Sequence, residues 1–241
     1  IKCCNQSGLD VEDIVLEPLS SSQAVLSPDE QEVGVVLVDI GGGTTDVTIY
    51  SEGSIVHTAV LALGGNHLTH DIAIGLGAPL HEAEEIKHNF GVAMSSMVKE
   101  DEMIDVPSVG GRNNRTMKKR VLASIIEDRF REIFELIAHE IEKTHFHTLM
   151  ASGVVITGGT CIMPGADRLA SQVLNLPVRV GYPENIAGLR EMIYSPKYAT
   201  SVGLVRYGIT SNQGKLNFVG DDTNLFHKVS RRMKDWMQDF F

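Results

Sequence analysis

Between Gly34 and Tyr50 the chain runs apolar, then glycine-rich, then apolar again: Val35-Val-Leu-Val-Asp39-Ile40, Gly41-Gly42-Gly43-Thr44-Thr45-Asp46, Val47-Thr-Ile-Tyr50. β-Branched runs bounded by glycine predict two strands joined by a tight turn. Ile55 to Leu63 predicts a third strand after a turn at Gly53; Gly64-Gly65 then breaks the chain, and Asn66 is expected to cap a helix from His67 to Gly75. Upstream, residues 1–10 read as a helix end closing at Gly8, Val11 to Pro18 as a short strand, and Leu19 to Leu26 as a small-residue helix that stops before Pro28. The pattern enters mid-element at Ile1 without a methionine, as expected of a fragment whose N-terminal part is absent.

Downstream the period changes to that of helices. Pro79 opens one, with Leu80, Ala83, Ile86 and Lys87 at helical spacing, ending near Gly91. Val92 to Lys119 is polar and mixed and suggests a smaller subdomain. Val121 to Thr144 predicts the longest helix, with Val121, Ile125, Phe130, Ile133, Phe134, Ile137 and Ile141 on one face. Gly153 to Thr157 predicts a buried strand before Gly158-Gly159. Pro164 then starts a helix with Leu169, Val173 and Leu174 on its apolar side. Val178 to Val180 reads as a strand, and Pro196 to Tyr207 as a helix with Ala199 and Gly203 on one side. Residues 211–224 are polar and aperiodic and read as a flexible linker; Asn224 then caps a last helix, Leu225 to Phe241. Strands alternating with helices make the fold class α/β.

That last helix carries its own chemistry. Leu225, Phe226, Val229, Met233, Trp236, Met237 and Phe240 recur at three- and four-residue spacing and form one stripe, with Lys228, Arg231, Arg232 and Lys234 off it. An apolar face holding Trp and Phe beside a basic face is the pattern of a helix lying in a membrane interface, drawn to anionic lipid. The alternative is a terminal helix packed on its parent domain or on a partner helix. The cations stand out because the chain as a whole is acidic, with a formal charge of −10, which argues against a general nucleic-acid binder.

Other composition excludes more than it assigns. At 43% hydrophobic and 22% charged residues, 241 residues suffice for a real core. Cys3, Cys4 and Cys161 offer no metal spacing and no paired framework, so free thiols and a reducing compartment are expected. No apolar run approaches the roughly 20 residues of a membrane span, and there is no signal-peptide pattern. His67/His70 and His145/His147 lack a third ligand, and no nucleophile arrangement is recognisable.

The glycine turn at 41–43 suits a phosphate: its backbone N–H groups and the Thr44 and Thr45 hydroxyls are donors, and glycine permits positive φ and close approach. Asp39 can hold Mg²⁺ through water. Taken alone, the stretch also reads as an ordinary hairpin. A second strand–glycine turn, Val154-Val-Ile-Thr157-Gly158-Gly159-Thr160, follows about 110 residues later. With both turns the chain resembles the actin, Hsp70 and sugar-kinase superfamily, with its ribonuclease H-like fold. The resemblance makes the first turn the second phosphate loop, the second the adenosine loop, and Glu84 and Lys87 the nucleoside-contacting helix. It makes 19–26 and 195–207 the two connecting helices, with Gln23 as a candidate for positioning an attacking water.

Within that superfamily the chain resembles the FtsA family of bacterial cell-division proteins. The likeness lies in Val106-Pro-Ser-Val-Gly110-Gly-Arg112, Arg115, Glu127-Asp-Arg129-Phe, Val155-Ile-Thr-Gly-Gly-Thr160 and the detached C-terminal helix. It implies ATP and Mg²⁺ as ligands, slow hydrolysis at most, self-assembly, and a seat on the cytoplasmic face of the inner membrane at the division septum among other divisome proteins. It also implies that the small subdomain holds the C-terminal tail of FtsZ, with Arg115, Arg129 and Glu132 as the contacts and Phe130 and Ile126 as apolar neighbours. A pilus-assembly relative of the PilM type, or a chaperone-like ATPase whose terminal helix is structural, is the alternative. The expected partition is the end of a first half at 1–30, an actin-like subdomain IIA at 31–65 and 136–210, subdomain IIB at 66–135, linker 211–224 and targeting helix 225–241.

Overall fold

The computed structural model describes residues 1–108, 113–144, 151–184 and 190–217. Helices α1 (Lys2–Gln6), α2 (Glu17–Val25) and α3 (Pro28–Val33) lead into strands β1 (Val35–Ile40), β2 (Thr45–Ser51) and β3 (Ser54–Leu61). Then follow α4 (Gly65–Leu76), α5 (Leu80–Phe90), a hairpin of β4 (Met103–Val106) and β5 (Arg115–Lys118), and the 25-residue α6 (Lys119–Lys143). Strand β6 (Val154–Thr157), α7 (Ala166–Leu174), β7 (Val178–Val180), α8 (Arg190–Ile193) and α9 (Ala199–Asn217) complete the described order.

The main sheet has the order β3-β2-β1-β6-β7. β1 is antiparallel to β2 and parallel to β6. Every residue of β1 is buried, because both sheet faces are covered and a central strand then needs side chains that pack on each. Val36, Val38 and Ile40 face a large core shared with α4, α5, α6 and α7. Val35 and Leu37 face a smaller one with Ala24 and Val25 of α2 and Ala199 of α9. Asp39 occupies the next position of that second face.

Several elements differ from the sequence reading. Residues 11–16 form no strand and lie largely exposed, while Pro18 sits in the first turn of α2, where its missing N–H costs nothing. Helix α3 was not anticipated: Ser27 and Glu30 form a reciprocal capping box that nucleates six residues without apolar periodicity. Helix α4 starts at Gly65 with Gly64, not Asn66, at the cap. The polar stretch after Gly91 contains the hairpin β4–β5, whose four-residue strands are too short for alternation to stand out. On α6 the buried stripe is Leu122, Ile126, Phe130, Ile133, Phe134, Ile137 and Ile141, whereas Val121 is exposed and Ile125 half-buried. This helix passes unbroken through residue 135, where the two subdomains were expected to divide, and one core runs along it. Helix α9 continues through Gly208 to Asn217, so residues 211–217, expected as linker, are helical; an established helix extends at little cost through isolated glycines. The membrane stripe at 225–241 lies outside the described residues.

Glu30 does double duty, capping α3 and receiving two 2.8 Å hydrogen bonds from Arg179 of β7. Burial raises its pKa, but the bonds from Arg179 and Ser27 outweigh it and hold the carboxyl below its ordinary value. A folded-state pKa below the unfolded one gives stability that is present at neutral pH and lost as pH falls through the carboxylate range. Glu30→Gln is therefore expected to lower stability at pH 7 by about 1–2 kcal/mol. In denaturant titrations the difference from the parent should begin to shrink below the ordinary carboxylate pKa and vanish only below the lowered folded-state one.

Candidate functional site

Three glycine turns meet at the C-terminal end of β1. Gly41 N–H closes the first turn on the Thr44 carbonyl at 2.9 Å. The turn's outward carbonyls are taken by its neighbours: Gly41 O accepts from Gly65 N at 2.9 Å and from Thr160 Oγ1 at 2.9 Å, and Gly42 O accepts from Asn66 N at 2.7 Å. The approach is close enough to exclude a side chain, since a Cβ on Gly64 would stand 2.7 Å from Gly41 O and 2.8 Å from Gly42 O. Gly158 is as confined, with φ +92° and a virtual Cβ 2.5 Å from Asp39 Oδ1 and closer still to the Ile40 carbonyl. The expectation of positive φ at 41–43 is not met: none of these three lies in the left-handed region, which Gly158 occupies instead. Gly42, Gly43 and Thr44 are exposed and leave their surface open. Thr45 does not share it; its hydroxyl is buried and donates to Leu63 O at 2.8 Å.

Beside this turn lies a cleft of about 560 Å³. It is lined by Gly42, Gly65 and Asn66 on one side, Glu84, Lys87 and Gly91 on a second, and Gly159, Thr160, Ile162 and Met163 on a third. Four residues singled out from sequence, Gly42, Glu84, Lys87 and Gly159, are thus brought together. Lys87 Nζ sits 2.8 Å from Glu84 Oε2, donates to Thr69 Oγ1 at 2.7 Å and to Gly65 O at 3.1 Å, and Thr69 in turn donates to Glu84. Burial raises Glu84's pKa, but its bonds from Lys87 and Thr69 prevail and keep the carboxylate ionised. The cleft therefore offers a charged acceptor–donor pair, exposed backbone N–H groups and an apolar wall at Ile162 and Met163, which fits the hydroxyls, phosphates and base of a nucleotide.

Asp39, near the end of β1, does not line this cleft and faces α2 and α9 instead. It is 5% exposed, and its Oδ2 accepts from Ser21 Oγ of α2 at 2.7 Å and from Thr200 Oγ1 of α9 at 3.5 Å. Asp46, its direct partner in the β1–β2 register, shares that face. Burial pushes both carboxyls up, Asp46 to about 6 with the charges of Glu17 and Asp39 adding to it. A divalent cation would relieve that crowding. Among the described residues no three such groups converge on a metal-sized site. Gln23 does not reach the site: it is exposed, and two residues along a helix turn a side chain by about 200° from Ser21, which does. Ser21, Asp46, Thr69, Asn66 and Thr160 were not singled out beforehand. Asp46 and Thr160, each ending a glycine motif, and Asn66, read as a helix cap, carried a signal in sequence, though not as site residues.

The expected partner residues fall around α4 and α6. Arg129 donates from Nε and Nη2 to both oxygens of Asp71 on α4, the second at 3.0 Å, and from Nη1 to Glu132. The hydrogen bond to Asp71, and the charges of Asp71 and Glu132, raise Arg129's pKa against the opposing effect of burial. Arg115 is placed apart from this pair, donating to the Leu76 carbonyl at the end of α4. Phe130 and Ile126 are fully buried in the core and offer no anchor to a partner. Ile125 lines a groove of about 280 Å³ beside Arg129, Leu80, 56% exposed, lines a pocket with the same arginine, and Ile74 of α4 and Val121 of α6 are exposed at 70% and 40%.

The two glycine environments predict opposite outcomes. Gly158→Ala, strained in φ and sterically blocked, should cost about 2–4 kcal/mol. Gly43→Ala, with nothing within 4 Å of its virtual Cβ, should stay within about 0.5 kcal/mol of the parent. Thermal and denaturant unfolding of the two variants compare them directly.

Comparison with known proteins identifies the family. Residues 36–203 match the family model "Cell division protein FtsA". Cell division protein FtsA of Pseudomonas aeruginosa is 40% identical over 245 residues, covering 100% of this chain and 59% of that protein. That of Escherichia coli K12 is 38% identical over 249 residues, again 100% of this chain and 59% of the relative. The chain thus spans less than two thirds of the length of these relatives. Among solved structures, MreB5 of Spiroplasma citri bound to ADP superposes with a TM-score of 0.71 at 20% identity, covering 90% of this chain and 65% of that one. A PilM–PilN type IV pilus biogenesis complex gives 0.63 at 17%, covering 85% and 55%. These two likenesses show a common actin-like fold, and the sequence matches go further: the chain belongs to the FtsA family of cell-division proteins.

Proposed function

We propose that this chain is the nucleotide- and partner-binding part of a cell-division protein that binds ATP, self-assembles, and tethers FtsZ filaments to the cytoplasmic face of the membrane at the septum. The observation that carries the nucleotide reading is the cleft in which Gly42, Glu84, Lys87 and Gly159 meet. Its likeness to a fold solved with ADP supports the same reading. Glu84 and Lys87 would hold the ribose, Gly158 and Gly159 with Ile162 and Met163 would flank the adenine, and Gly41 to Thr44 would meet the phosphates. Asp39 would hold Mg²⁺ through water, and the bound ion would neutralise phosphate charge. Ser21 and Thr200 orient the Asp39 carboxylate, and the Thr45 hydroxyl fixes the base of the turn through Leu63. Nucleotide here acts first as an assembly and conformational ligand. In this reading residues 31–65 and 136–210 form the sheet-bearing subdomain and 66–135 the smaller one.

The FtsZ tail would lie along α4 and α6, with Arg129 as its charged contact and Ile74, Val121 and Ile125 as its apolar ones. The stripe from Leu225 to Phe240 would supply the membrane anchor. With several large side chains leaving water at about 25 cal/mol per Å², binding would be worth several kcal/mol, enough for reversible attachment.

In the full-length protein Gly42→Val should abolish ATP binding, measured by isothermal titration, while unfolding shows the fold retained. Unchanged affinity would refute the loop assignment. Removal of residues 225–241 should abolish co-sedimentation with vesicles containing anionic lipid, and added salt should weaken the intact protein's binding. Pelleting by the truncated protein as by the intact one would end the tether reading.

A further inference from the structure

Arg129 is the residue best placed to receive an acidic partner, yet its guanidinium is already occupied. Asp71 takes two of its donors in the fork geometry that a carboxylate ligand would use, and Glu132 takes a third. Glu132 lies on the same helix and is half exposed, so it can swing away. Asp71 is different, because it stands on α4, and α4 is not free to move.

The first turn of α4 is bound to the nucleotide site. Gly65 N and Asn66 N hold the carbonyls of Gly41 and Gly42, with no room for a Cβ at Gly64. Lys87, in the cleft, adds bonds to Gly65 O and Thr69 Oγ1. Thr69 and Asp71, two residues apart, project to opposite sides of the helix. One side meets Lys87 and Glu84, the other Arg129. Three cavities follow one another around α4. The nucleotide cleft shares Asn66 and Glu84 with a pocket of about 760 Å³, and that pocket shares Asp71 and Arg129 with the groove beside Ile125. At its far end α4 is pressed on α6, where a Cβ at Gly75 would stand 2.5 Å from Ile125 Cδ1. A displacement of the first turn therefore reaches the groove through one rigid helix.

We infer that Asp71 is an internal competitor that masks Arg129, and that the seating of α4 on the glycine turn sets how firmly it competes; this rests on the reading of Arg129 as the partner contact. A nucleotide that draws Lys87 and Glu84 to itself removes their hold on Thr69 and Gly65. α4 then shifts more readily, and an acidic peptide displaces Asp71 at lower cost. Since binding linkage is reciprocal, the peptide must favour nucleotide by the same factor.

The test uses full-length protein, a fluorescently labelled FtsZ tail peptide, and AMPPNP with Mg²⁺ to avoid turnover. Nucleotide should tighten peptide binding by about fivefold or more. Asp71→Asn should bind the peptide without nucleotide at least as tightly as the parent does with it, and should lose most of the nucleotide response. An Asp71→Asn protein with parental or weaker affinity and an unchanged response would overturn the inference. A measurement on the unaltered protein guards against a folding defect: saturating peptide should tighten AMPPNP by the same factor, and no change there would also overturn it. Arg129→Glu separates the two levels. If it binds peptide like the parent, the partner reading falls and the masking with it; if it loses binding while nucleotide leaves the parent's affinity unmoved, only the masking falls.

Discussion

Close approach of backbone to backbone at the end of β1 is the constraint on which the rest depends. Gly64 lies against the carbonyls of Gly41 and Gly42, and Gly158 lies against Ile40 and Asp39. Each contact is possible only because a side chain is missing, and each joins segments far apart in sequence. The consequence is that α4, the turn at Gly41 to Gly43 and the β6 turn form one rigid corner. The cleft is what remains between that corner and α5. The α4 wall is tied to the glycine turn by backbone hydrogen bonds of 2.7–2.9 Å, the β6 turn by the Thr160 hydroxyl, and the α5 wall by the Lys87 and Thr69 side chains. This is how a nucleotide site can be preorganised on short turns.

The strands were legible because the sheet imposes its own signal. A central strand buried on both faces must be apolar throughout, and Val35 to Ile40 could hardly be read otherwise. Its one acid, Asp39, was visible for the same reason: a carboxylate in such a run has no packing role. Helix α3 and the hairpin β4–β5 were not legible, because a capping box and two four-residue strands carry almost no periodicity. The α6 stripe was read with Val121 and Ile125 in place of Leu122 and Ile126, since a one-residue shift in helical phase fits a mixed sequence nearly as well.

The same division holds at the site. Glycine spacing announced the two turns, and Glu84 and Lys87 followed from resemblance. Ser21 and Thr69, which hold these groups in place, act through side-chain hydrogen bonds to residues 15 to 18 positions away. No local pattern marks them. Gln23 is exposed on α2, on a different side of the helix from Ser21. Phe130 and Ile126 are turned into the core, leaving Ile74 and Val121 at the surface.

Two carboxyls, Asp39 and Asp46, face one another in register under α2, with burial and the charge of Glu17 raising both and the charge of Asp39 adding to Asp46. An apolar pair there would pack better and cost nothing in desolvation. Ser21 and Thr200 offset part of that cost by donating to Asp39, and they come from α2 and α9, the two helices packed together on that face. The close packing of those helices is itself forced, since any Cβ on Gly203 would collide with the Ser20 carbonyl. Stability is thus given up at one point, and the elements around that point are arranged to hold the acid in a fixed orientation. Such a conflict between local cost and global order is the mark of a ligand site. In the function proposed above, a cation would bind where α2, α9 and the glycine corner converge, and would bear on all three at once.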